Sequence, residues 1–435
     1  MTGQRRPEVA AVRRDGRPTV AVVGAGVSGL TAAYLLRRNH DVTLFEVEDR
    51  LGGHAHTHQV DNGAGQQIGV DSGFIVHNDR TYPYLRKLFG ELGIQARKAE
   101  MSMSIRHEAT GLEYAGGRGI SGLLAQPKQL LSPRFLGLLA QVKRFHRVAA
   151  EFLANTADGD ETSYGDFLED QGFSPSFREL YAVPVVACVW SCGSGTAMEY
   201  PARFLFRFLD HHGMLSVSNS PQWYIIPGGS ATYVQAVARR LTDVRQGRKI
   251  TQIRRTATGV SATDDSGNSS GFDKVVIATH ADQALSLLGD PTADEQRVLG
   301  AFRYSLNHTV LHTDVGLLPR ARGAKASWNY LVPRQPVDDD GPIVTYWMNK
   351  LQSLDSQRQF LVTMNATDRI EARSVIAEME YRHPIYDLES GKARAELPSL
   401  ATNRTAFAGA YHGWGFHEDG CRSGVQAAEA FGVSW

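Results

Sequence analysis

Six residues near the start of the chain have the types and spacing of a phosphate-binding turn. They are Gly24, Ala25, Gly26, Val27, Ser28 and Gly29. The apolar run Thr19–Val23 before them is typical of a buried strand, and residues 27–38 have helical periodicity. Glycines here allow a tight turn and a close approach of the backbone to a pyrophosphate, and the helix start supplies unpaired N–H groups. The segment predicts a dinucleotide site.

An acidic residue stands where a ribose would lie. Glu46 ends a second predicted strand, Asp41–Glu46, twenty residues after Gly26 (46 minus 26). A carboxylate there accepts hydrogen bonds from both ribose hydroxyls and repels a 2′-phosphate. The alternative, a glycine-rich turn without a ligand, is disfavoured because strand, loop, helix and acid are in register.

A second glycine pair follows directly. Arg50, Gly52, Gly53 and His54 continue from Glu46 and bring the backbone back to the phosphates. A nicotinamide enzyme of simple Rossmann type needs no such element. The pattern favours FAD over NAD.

With these motifs the chain resembles the flavin-containing amine oxidase superfamily, which includes monoamine oxidases, protoporphyrinogen oxidase and carotenoid desaturases. The resemblance covers nearly the whole chain. Its matching positions are Gly24, Gly26, Gly29, Glu46, Gly52, Gly53, Pro227–Gly229, Ile250–Ile253, Phe407–Gly409 and Ala427–Ala428. It implies an α/β fold with a Rossmann-like FAD-binding domain and an inserted α+β substrate domain.

The resemblance also implies where the cofactor lies. The strand ending at Ile253 would lie against adenine, and the closing segment would place a helix N-terminus under the flavin N1–C2=O edge. That edge comprises His417, Glu418, Asp419, Gly420 and Cys421. Further predicted cofactor contacts are Val27, Ser28, Arg50, His54, Gly73 and Gly409. Attachment is predicted to be non-covalent, because Cys421 falls at a helix start.

Four residues of the closing segment are candidates for catalysis. His417 and Glu418 adjoin the flavin edge, where an imidazole titrating near neutrality could move a proton; the alternative is that they cap the helix or orient the loop. Tyr411 and Trp414 are candidates for an aromatic wall over the flavin, with Trp347 or Tyr346 opposite, or for core positions.

Other reactive side chains carry weaker signals. His54, His56 and His58 alternate and would share one face of a strand, but no cysteine or acid stands at ligand spacing, so no metal is predicted. Cys188 and Cys192 are spaced like a redox pair, yet buried inert thiols are the prediction.

The elements that must position these residues suggest two interleaved domains. Residues 18–80, 222–290 and 400–435 form the predicted FAD-binding domain, and residues 81–221 and 291–399 the substrate-binding domain. A basic arm, residues 1–17, is predicted to be disordered. A hairpin is predicted within 59–70. Helices are predicted at Tyr82–Leu92, Pro133–Leu153, Pro175–Trp190 and Pro201–His212, the last capped by Gly213.

Composition restricts the partners. Lys plus Arg (46) equals Asp plus Glu (46), which favours neither nucleic acid nor an anionic membrane and points to a small molecule. The three cysteines fit a reducing compartment, so a cytoplasmic location is predicted. No apolar run is long enough to span a membrane, so any membrane contact is peripheral.

The predicted function is hydride transfer between flavin N5 and an apolar substrate, by desaturation, oxidation or alkene reduction. A lipid-like acyl substrate is suggested only by resemblance to a bacterial subgroup whose genes often neighbour cyclopropane-fatty-acid-synthase-type methyltransferases. The electron partner is left open among O2, NAD(P)H and a redox protein. Alternatives are amine oxidation with O2, non-redox double-bond isomerisation and a non-catalytic flavin-binding role. Amine oxidation is disfavoured because the strand Tyr304–Thr313 lacks the lysine that amine oxidases place near N5.

Overall fold

The structure is a computed structural model that describes residues 9–10, 16–116, 120–123, 125–215, 220–335 and 341–435. The strands are β1 (Val9–Ala10), β2 (Thr19–Val23), β3 (Asp41–Phe45), β4 (Thr57–Asp61), β5 (Gln67–Asp71), β6 (Val76–Asn78), β7 (Arg97–Lys98), β8 (Met103–His107), β9 (Leu112–Gly116), β10 (Trp223–Ile225), β11 (Asp243–Arg245), β12 (Ile250–Arg255), β13 (Val260–Asp264), β14 (Ser269–Phe272), β15 (Lys274–Ile277), β16 (Arg303–His312), β17 (Trp328–Val332), β18 (Ile343–Trp347), β19 (Leu361–Met364), β20 (Val375–Ile385) and β21 (Thr405–Phe407).

The helices connect these strands and cover the sheets. They are α1 (Val27–Leu36), α2 (Pro83–Leu92), α3 (Ile120–Leu123), α4 (Pro133–Asn155), α5 (Tyr164–Asp170), α6 (Pro175–Phe177), α7 (Val183–Trp190), α8 (Ser194–Glu199), α9 (Ala202–His211), α10 (Ala231–Ala238), α11 (Ala281–Leu287), α12 (Ala293–Gly300), α13 (Met348–Leu351), α14 (Leu388–Glu396) and α15 (His417–Ala430). The predicted helix Pro175–Trp190 is continuous, with a wider π-helical turn at Arg178–Ala182 between α6 and α7.

A parallel sheet forms the first layer, with the order β11-β3-β2-β15-β21. Its strands come from three separated parts of the chain. Every residue of β2 is buried, as expected for a strand covered on both faces. An antiparallel sheet of β12, β13 and β14 packs beside it, and the predicted hairpin is β4–β5.

Most of the predicted basic arm lies outside the described residues. Val9–Ala10 form β1, which pairs in parallel with Ser270–Gly271 of β14. For these two residues the predicted disorder is wrong, because they meet the free edge of that sheet. The exact boundaries of the two predicted domains stay a prediction.

A second, mixed sheet has the order β20-β16-β19-β18-β17-β8-β9. Helices α4 to α9 pack over part of it around an aromatic core that includes Phe145, Phe177 and Phe206. The strand β16 matches the predicted strand Tyr304–Thr313, shifted by one residue. Strand β20 of this sheet meets the loop after Gly52, since Tyr381 and His383 contact His54.

The two ends of the chain pack directly on one another. Helix α15 lies on α1, and a methyl group added at Gly420 would stand 2.6 Å from Val27 Cγ1. A methyl group at Gly424 would overlap the Ser28 carbonyl oxygen and stand 2.9 Å from Thr31 Cβ. The glycines therefore set a close approach of the helices, and β21 joins the parallel sheet beside β15.

Replacing Gly424 tests this contact. Gly424→Ala is expected to lower the free energy of unfolding by about 1–3 kcal/mol, because the methyl group meets backbone rather than a flexible side chain. Urea denaturation measures the change. The control is Gly391→Ala in α14, where an added methyl group meets nothing within 4 Å. The control is expected to gain up to about 1 kcal/mol from helix propensity. Equal effects of the two substitutions would contradict the close packing.

Candidate flavin site

The first glycine turn is built as the sequence predicts. Gly24 has a φ of +100°, and Gly26 is the N-cap of α1. A methyl group at Gly26 would meet nothing within 4 Å, so the space before the helix is open. No side chain caps α1 and its first turn holds no acid. An uncapped helix start beside open space fits a pyrophosphate.

Val27, Ser28 and Gly29 follow this turn into the helix. The side chains of Val27 and Ser28 are buried, and both lie toward Gly420 of α15. A methyl group at Gly29 would overlap the Gly24 carbonyl oxygen. These residues therefore offer a ligand their backbone N–H groups, while their side chains hold the helix in place.

Glu46 lies at the carboxyl end of β3, beside the turn. Its Oε2 accepts a hydrogen bond from the Ala25 N–H at 2.8 Å and its Oε1 one from the Glu48 N–H at 3.0 Å. Burial raises the pKa of this carboxyl group, and the two N–H donors oppose that shift. The carboxylate is held beside the loop, as its predicted ribose role requires.

The second glycine pair returns to the first. The Gly52 N–H donates to the Ala25 carbonyl oxygen at 2.9 Å, and a methyl group at Gly53 would lie 3.2 Å from Gly26 Cα. Arg50 fixes this return, since its Nη1 donates to the Gly53 carbonyl oxygen at 2.7 Å. The structure thus places both glycine pairs at one point.

His54 faces the second sheet from the end of this loop. Its ring centroid lies 4.9 Å from that of Tyr381 and 5.3 Å from that of His383. Its Nε2 is buried and has no hydrogen-bond partner among the described residues, which marks a polar atom available to a ligand. The Phe74 N–H donates to the His54 carbonyl oxygen at 2.7 Å, and Gly73 must be glycine because a methyl group would overlap that oxygen.

His417 begins α15 and lies in the same cleft. Its ring stacks on Phe74 with centroids 3.8 Å apart, and its Nε2 lies 3.1 Å from the Tyr233 hydroxyl. Burial lowers the pKa of His417 to about 3. The prediction that this imidazole titrates near neutrality is therefore wrong, because the aromatic surroundings disfavour its charged form.

The carboxylates of Glu418 and Asp419 both accept hydrogen bonds from backbone N–H groups. The two Glu418 oxygens accept from the Tyr84 and Leu85 N–H groups, both at 2.9 Å, and so cap α2. Asp419 Oδ2 accepts from the Trp414 and Phe416 N–H groups, and Asp419 Oδ1 accepts from Arg422. The structure supports the capping alternative for Glu418, on α2 rather than on α15.

The two predicted aromatic wall residues separate. Tyr411 is 2% exposed and packs against Phe302 in the core below the parallel sheet. Trp414 is half-buried among the aromatic side chains of α9, with its ring centroid 5.3 Å from that of His211. Tyr411 therefore belongs to the core, the alternative that its sequence context also allowed.

The remaining predicted cofactor contacts are Gly409, Cys421 and Ile253, and each has different surroundings. The Gly409 N–H donates to Ser423 Oγ at 2.9 Å, which ties β21 to α15. Cys421 is completely buried against Thr31, and burial raises the pKa of its thiol, which suits non-covalent binding.

Ile253 is completely buried, and its carbonyl oxygen accepts from the Gly289 N–H. Ile250, at the start of the same strand, lines a cavity of about 360 Å³ together with Phe45 and Arg248.

The other histidines and cysteines singled out in the sequence have structural partners. His56 Nδ1 lies 3.0 Å from the Tyr381 hydroxyl, and His58 Nε2 lies 2.9 Å from Ser72 Oγ. No group of three or more possible metal ligands occurs within the described ranges. Burial raises the pKa of the Cys192 thiol to about 12 and also raises that of Cys188, so both thiols are protonated.

Sequence analysis missed three residues of the cleft. His383 and Tyr381 lie on the same face of β20, and His280 precedes α11, with ring centroids of His54 and His280 6.3 Å apart. The pairing of β20 with β16 brings His383 opposite Ser305. The alternation of Tyr381 and His383 was a signal, but only the strand pairing connects it to the flavin loop.

The fold and the site together define a two-domain protein that binds a flavin dinucleotide. The model of the family described as flavin containing amine oxidoreductase matches residues 27–317, and the chain belongs to this family. Its cofactor is FAD. Among the described residues, no helix combines the length and apolar content needed to pass through a bilayer.

Individual relatives are distant. The AofH protein of Mycobacterium tuberculosis, assigned as a flavin-containing monoamine oxidase, is 29% identical over 281 residues, which are 62% of this chain and 59% of that relative. The chain thus spans less than two thirds of that relative's length. A 15-cis-phytoene desaturase of Capsicum annuum is 38% identical over 90 residues, 20% of this chain and 15% of the relative.

Solved structures share the fold. Cyclohexylamine oxidase from Brevibacterium oxydans superposes with a TM-score of 0.68 at 17% identity, over 95% of this chain and 98% of that chain. A fatty acid isomerase from P. acnes that produces CLA gives a TM-score of 0.67 at 17% identity, over 97% and 100% of the two chains. At 17% identity the likeness to these two structures shows a shared fold and nothing further.

Removing the Glu418 side chain separates capping from catalysis. Glu418→Ala is expected to lower the free energy of unfolding by about 1–3 kcal/mol, because two N–H groups at the start of α2 lose their acceptor. The absorbance spectrum of bound FAD is expected to stay unchanged. Glu429→Ala, at an exposed position of the same helix, is the control. A variant with unchanged stability and an altered flavin spectrum would contradict the capping role.

The buried histidines predict loss of stability in acid. Burial lowers the pKa of several imidazoles: His56, His412 and His417 to about 3, and His77, His212, His312 and His383 to about 4. An unfolded chain takes up these protons near pH 6.5, whereas the folded chain does not, so stability falls as the pH drops from about 6.5 to about 4. Asp71 and Glu418 act in the opposite sense, since burial raises their pKa to about 6 and about 7.

Burial also raises the pKa of Glu46 and Asp419, but the seven histidines outnumber these four acids, so we expect a net loss of stability. Urea denaturation at pH 7 and pH 5 measures it, with His417→Asn expected to flatten the dependence by up to about 1.4 kcal/mol per pH unit. His308→Asn, at an exposed position, is the control. Stability that rises on acidification would contradict the neutral histidines.

Proposed function

We propose that this protein is an FAD-dependent oxidoreductase that acts on an apolar small molecule. The observation that supports this function is a partly buried cluster of aromatic and apolar side chains that hydrogen bonds connect to the flavin cleft. The cluster, here called the aromatic face, comprises Met103, Cys188, Trp328, Tyr330, Val344, Tyr346 and Met364.

The aromatic face lies on one side of the second sheet. Strand pairing places Trp328 opposite Tyr346 and Tyr330 opposite Val344, and the rings of Trp328 and Tyr346 meet edge to face with centroids 5.4 Å apart. Met103 pairs with Trp328 on the other side. Met103, Trp328, Tyr330 and Tyr346 are each half-buried although the groups around them are apolar, which is typical of a ligand-binding surface.

A short polar chain links this face to the flavin cleft. Ser191 lies at the end of α7, and its Oγ is 3.7 Å from the sulfur atom of Met364. The Ser191 carbonyl oxygen accepts a hydrogen bond from Ser305 Oγ at 3.3 Å. Ser305 lies opposite His383 on β20, and the His383 ring is 5.3 Å from that of His54. These contacts support a substrate position on the aromatic face, near the side of the cleft that His54 and His383 line.

Bound FAD supplies the capacity to exchange a hydride with a carbon atom of the substrate. The residues of this chain then need only to hold a C–H bond in place and to exclude water. Apolar side chains do both, and the imidazoles of His383 and His417 are neutral because burial lowers their pKa to about 4 and about 3. This combination suits an uncharged portion of a substrate, such as an acyl chain, and an external acceptor or donor would complete the turnover.

Amine oxidation with O2 is the second candidate, favoured by the similarity to AofH. It is opposed by β16, where the position facing the cleft is Asn307 and the strand holds no lysine. Hydrogen peroxide release on a panel of amines would support this second function over the first.

Anaerobic mixing of the holoprotein with acyl lipids and, separately, with amines tests the proposal. Bleaching of flavin absorbance by an acyl lipid supports it. Bleaching by amines alone supports the second candidate. Product formed without an external acceptor indicates isomerisation, and flavin that no substrate or product pair reduces or reoxidises contradicts an oxidoreductase.

A substitution in the aromatic face gives a direct test of substrate binding. Tyr346→Ala is expected to raise KM for an apolar substrate by about tenfold or more, since burial of a large side chain contributes about 1.5–3 kcal/mol. The control is Trp347→Ala, because alternation places Trp347 on the opposite face, where its Nε1 donates to Gln359 Oε1 at 2.8 Å. Equal changes in KM for both variants would contradict the assignment of the face.

A further inference from the structure

A chain of three side chains leads from the second sheet into the flavin cleft. Asn365 contacts Asn307, and Asn307 contacts His383, with distances of 2.8 Å and 3.1 Å between the joined atoms. Asn307 is completely buried. It stands on β16, where amine oxidases by resemblance carry a lysine, so its role bears on the cofactor.

The side-chain amide of Asn365 has only one orientation that satisfies the hydrogen-bonding groups around it. Asn365 Oδ1 accepts from the His308 N–H at 3.1 Å, and Asn365 Nδ2 donates to the Pro342 carbonyl oxygen at 3.2 Å. A reversed amide would set oxygen against the carbonyl group and nitrogen against the N–H group. Asn365 also has a φ of +57°, a conformation that asparagine tolerates better than most residues.

This orientation fixes the next two. Because Asn365 Nδ2 donates to Asn307 Oδ1, the other Asn307 atom is its amide nitrogen, which donates to His383 Nδ1 at 3.1 Å and to Ser305 Oγ at 3.2 Å. The His383 Nδ1 atom therefore accepts, and a neutral imidazole that accepts at Nδ1 carries its proton on Nε2. The Nε2–H group has no protein acceptor among the described residues.

The groups around His383 favour the same state. The titratable groups that face it are His54 from the glycine loop and His280 from the start of α11, and Tyr381 on the same strand contacts the His54 ring. Burial lowers the pKa of His54 well below its usual range and also lowers that of His280. His54 follows Gly52 and Gly53, which meet the phosphate turn, and it also interacts with His417 of α15, so His383 lies beside the cleft between the two helix starts.

We propose that the chain Asn365, Asn307 and His383 holds His383 as a neutral imidazole whose Nε2–H group donates a hydrogen bond to FAD bound in this cleft. His383 is then a cofactor-contacting residue, and Asn307 and Asn365 are positioning residues that set its tautomer. The inference concerns the cofactor and is independent of which substrate the protein takes.

Replacing Asn307 by aspartate reverses the hydrogen bond between this residue and His383 and leaves the shape of the side chain nearly unchanged. In Asn307→Asp the carboxylate still accepts from Asn365, but its second oxygen replaces the amide nitrogen, so both the Ser305 hydroxyl and His383 Nδ1 must donate to it. A carboxylate at this distance also favours the imidazolium, so His383 is expected to take up a proton about one to three pH units higher than in the wild type. The matched control is Asn403→Asp, an added carboxylate at an exposed position.

Nitrogen-15 NMR of histidine-labelled holoprotein measures the tautomer, with the His383 signals assigned by their loss in His383→Gln. The expected wild-type signature is Nε2–H, unchanged in Asn403→Asp and replaced by protonated Nδ1 in Asn307→Asp. A wild-type Nδ1–H tautomer would overturn the proposal that Asn365 and Asn307 set the tautomer of His383. A His383 pKa that is the same in Asn307→Asp and in the wild type would overturn it as well.

The flavin midpoint potential tests the contact with the cofactor. His383→Leu removes the donor and is expected to lower the potential, because a donor stabilises added negative charge on the ring. His383→Gln is expected to restore it, since a glutamine amide can donate from a similar position. A potential that is the same in wild type, His383→Leu and His383→Gln, each with one FAD bound, would overturn the proposed contact.

Discussion

The contact of α15 with α1 is the constraint on which the rest of the structure depends. Gly420 and Gly424 let the last helix lie against Val27, Ser28 and Thr31 of the first. The contact brings together the N-termini of both helices: no side chain caps α1, and at α15 Asp419 accepts from the N–H group of the N-cap residue Phe416. Each presents N–H groups and a positive dipole end, one suited to a pyrophosphate and the other to the electron-rich edge of a flavin ring. Chain ends nearly four hundred residues apart thereby form one cofactor site.

The cleft between these helices and the second sheet is polar but uncharged. Burial lowers the pKa of His54, His383 and His417, so each imidazole contributes hydrogen bonds without a full charge. Positive charge beside the cleft comes from the Arg50 guanidinium, which helps to lower the pKa of His54, and from the helix dipoles. In the proposed function, a substrate on the aromatic face would meet apolar contacts first and hydrogen-bonding groups only near the flavin.

Local sequence signals predicted the elements whose causes are local. The run Thr19–Val23, the glycine turn and the hairpin in 59–70 each follow from propensity and turn chemistry, and each occurs in the structure. The position of Glu46 beside the glycine turn was predicted from the spacing of a βαβ unit alone. The family pattern then placed the closing helix correctly beside the opening turn.

Roles set by tertiary contact could not be predicted in this way. Glu418 caps a helix more than three hundred positions earlier, and Tyr411 enters a core formed with Phe302. The importance of His383 depends on its alignment opposite Ser305 and on two asparagine amides from other strands. Nothing in the spacing of these residues indicates which amide atom faces the imidazole, because only the full hydrogen-bond network decides it.

Hydrogen–deuterium exchange of the apoprotein with and without added FAD tests the central claim most directly. If both chain ends hold one cofactor, FAD protects the backbone N–H groups of Gly26–Gly29 and those of His417–Gly420 to a similar extent and at the same FAD concentration. Protection of the first segment alone, with exchange at His417–Gly420 unchanged, would contradict a site shared by the two helices.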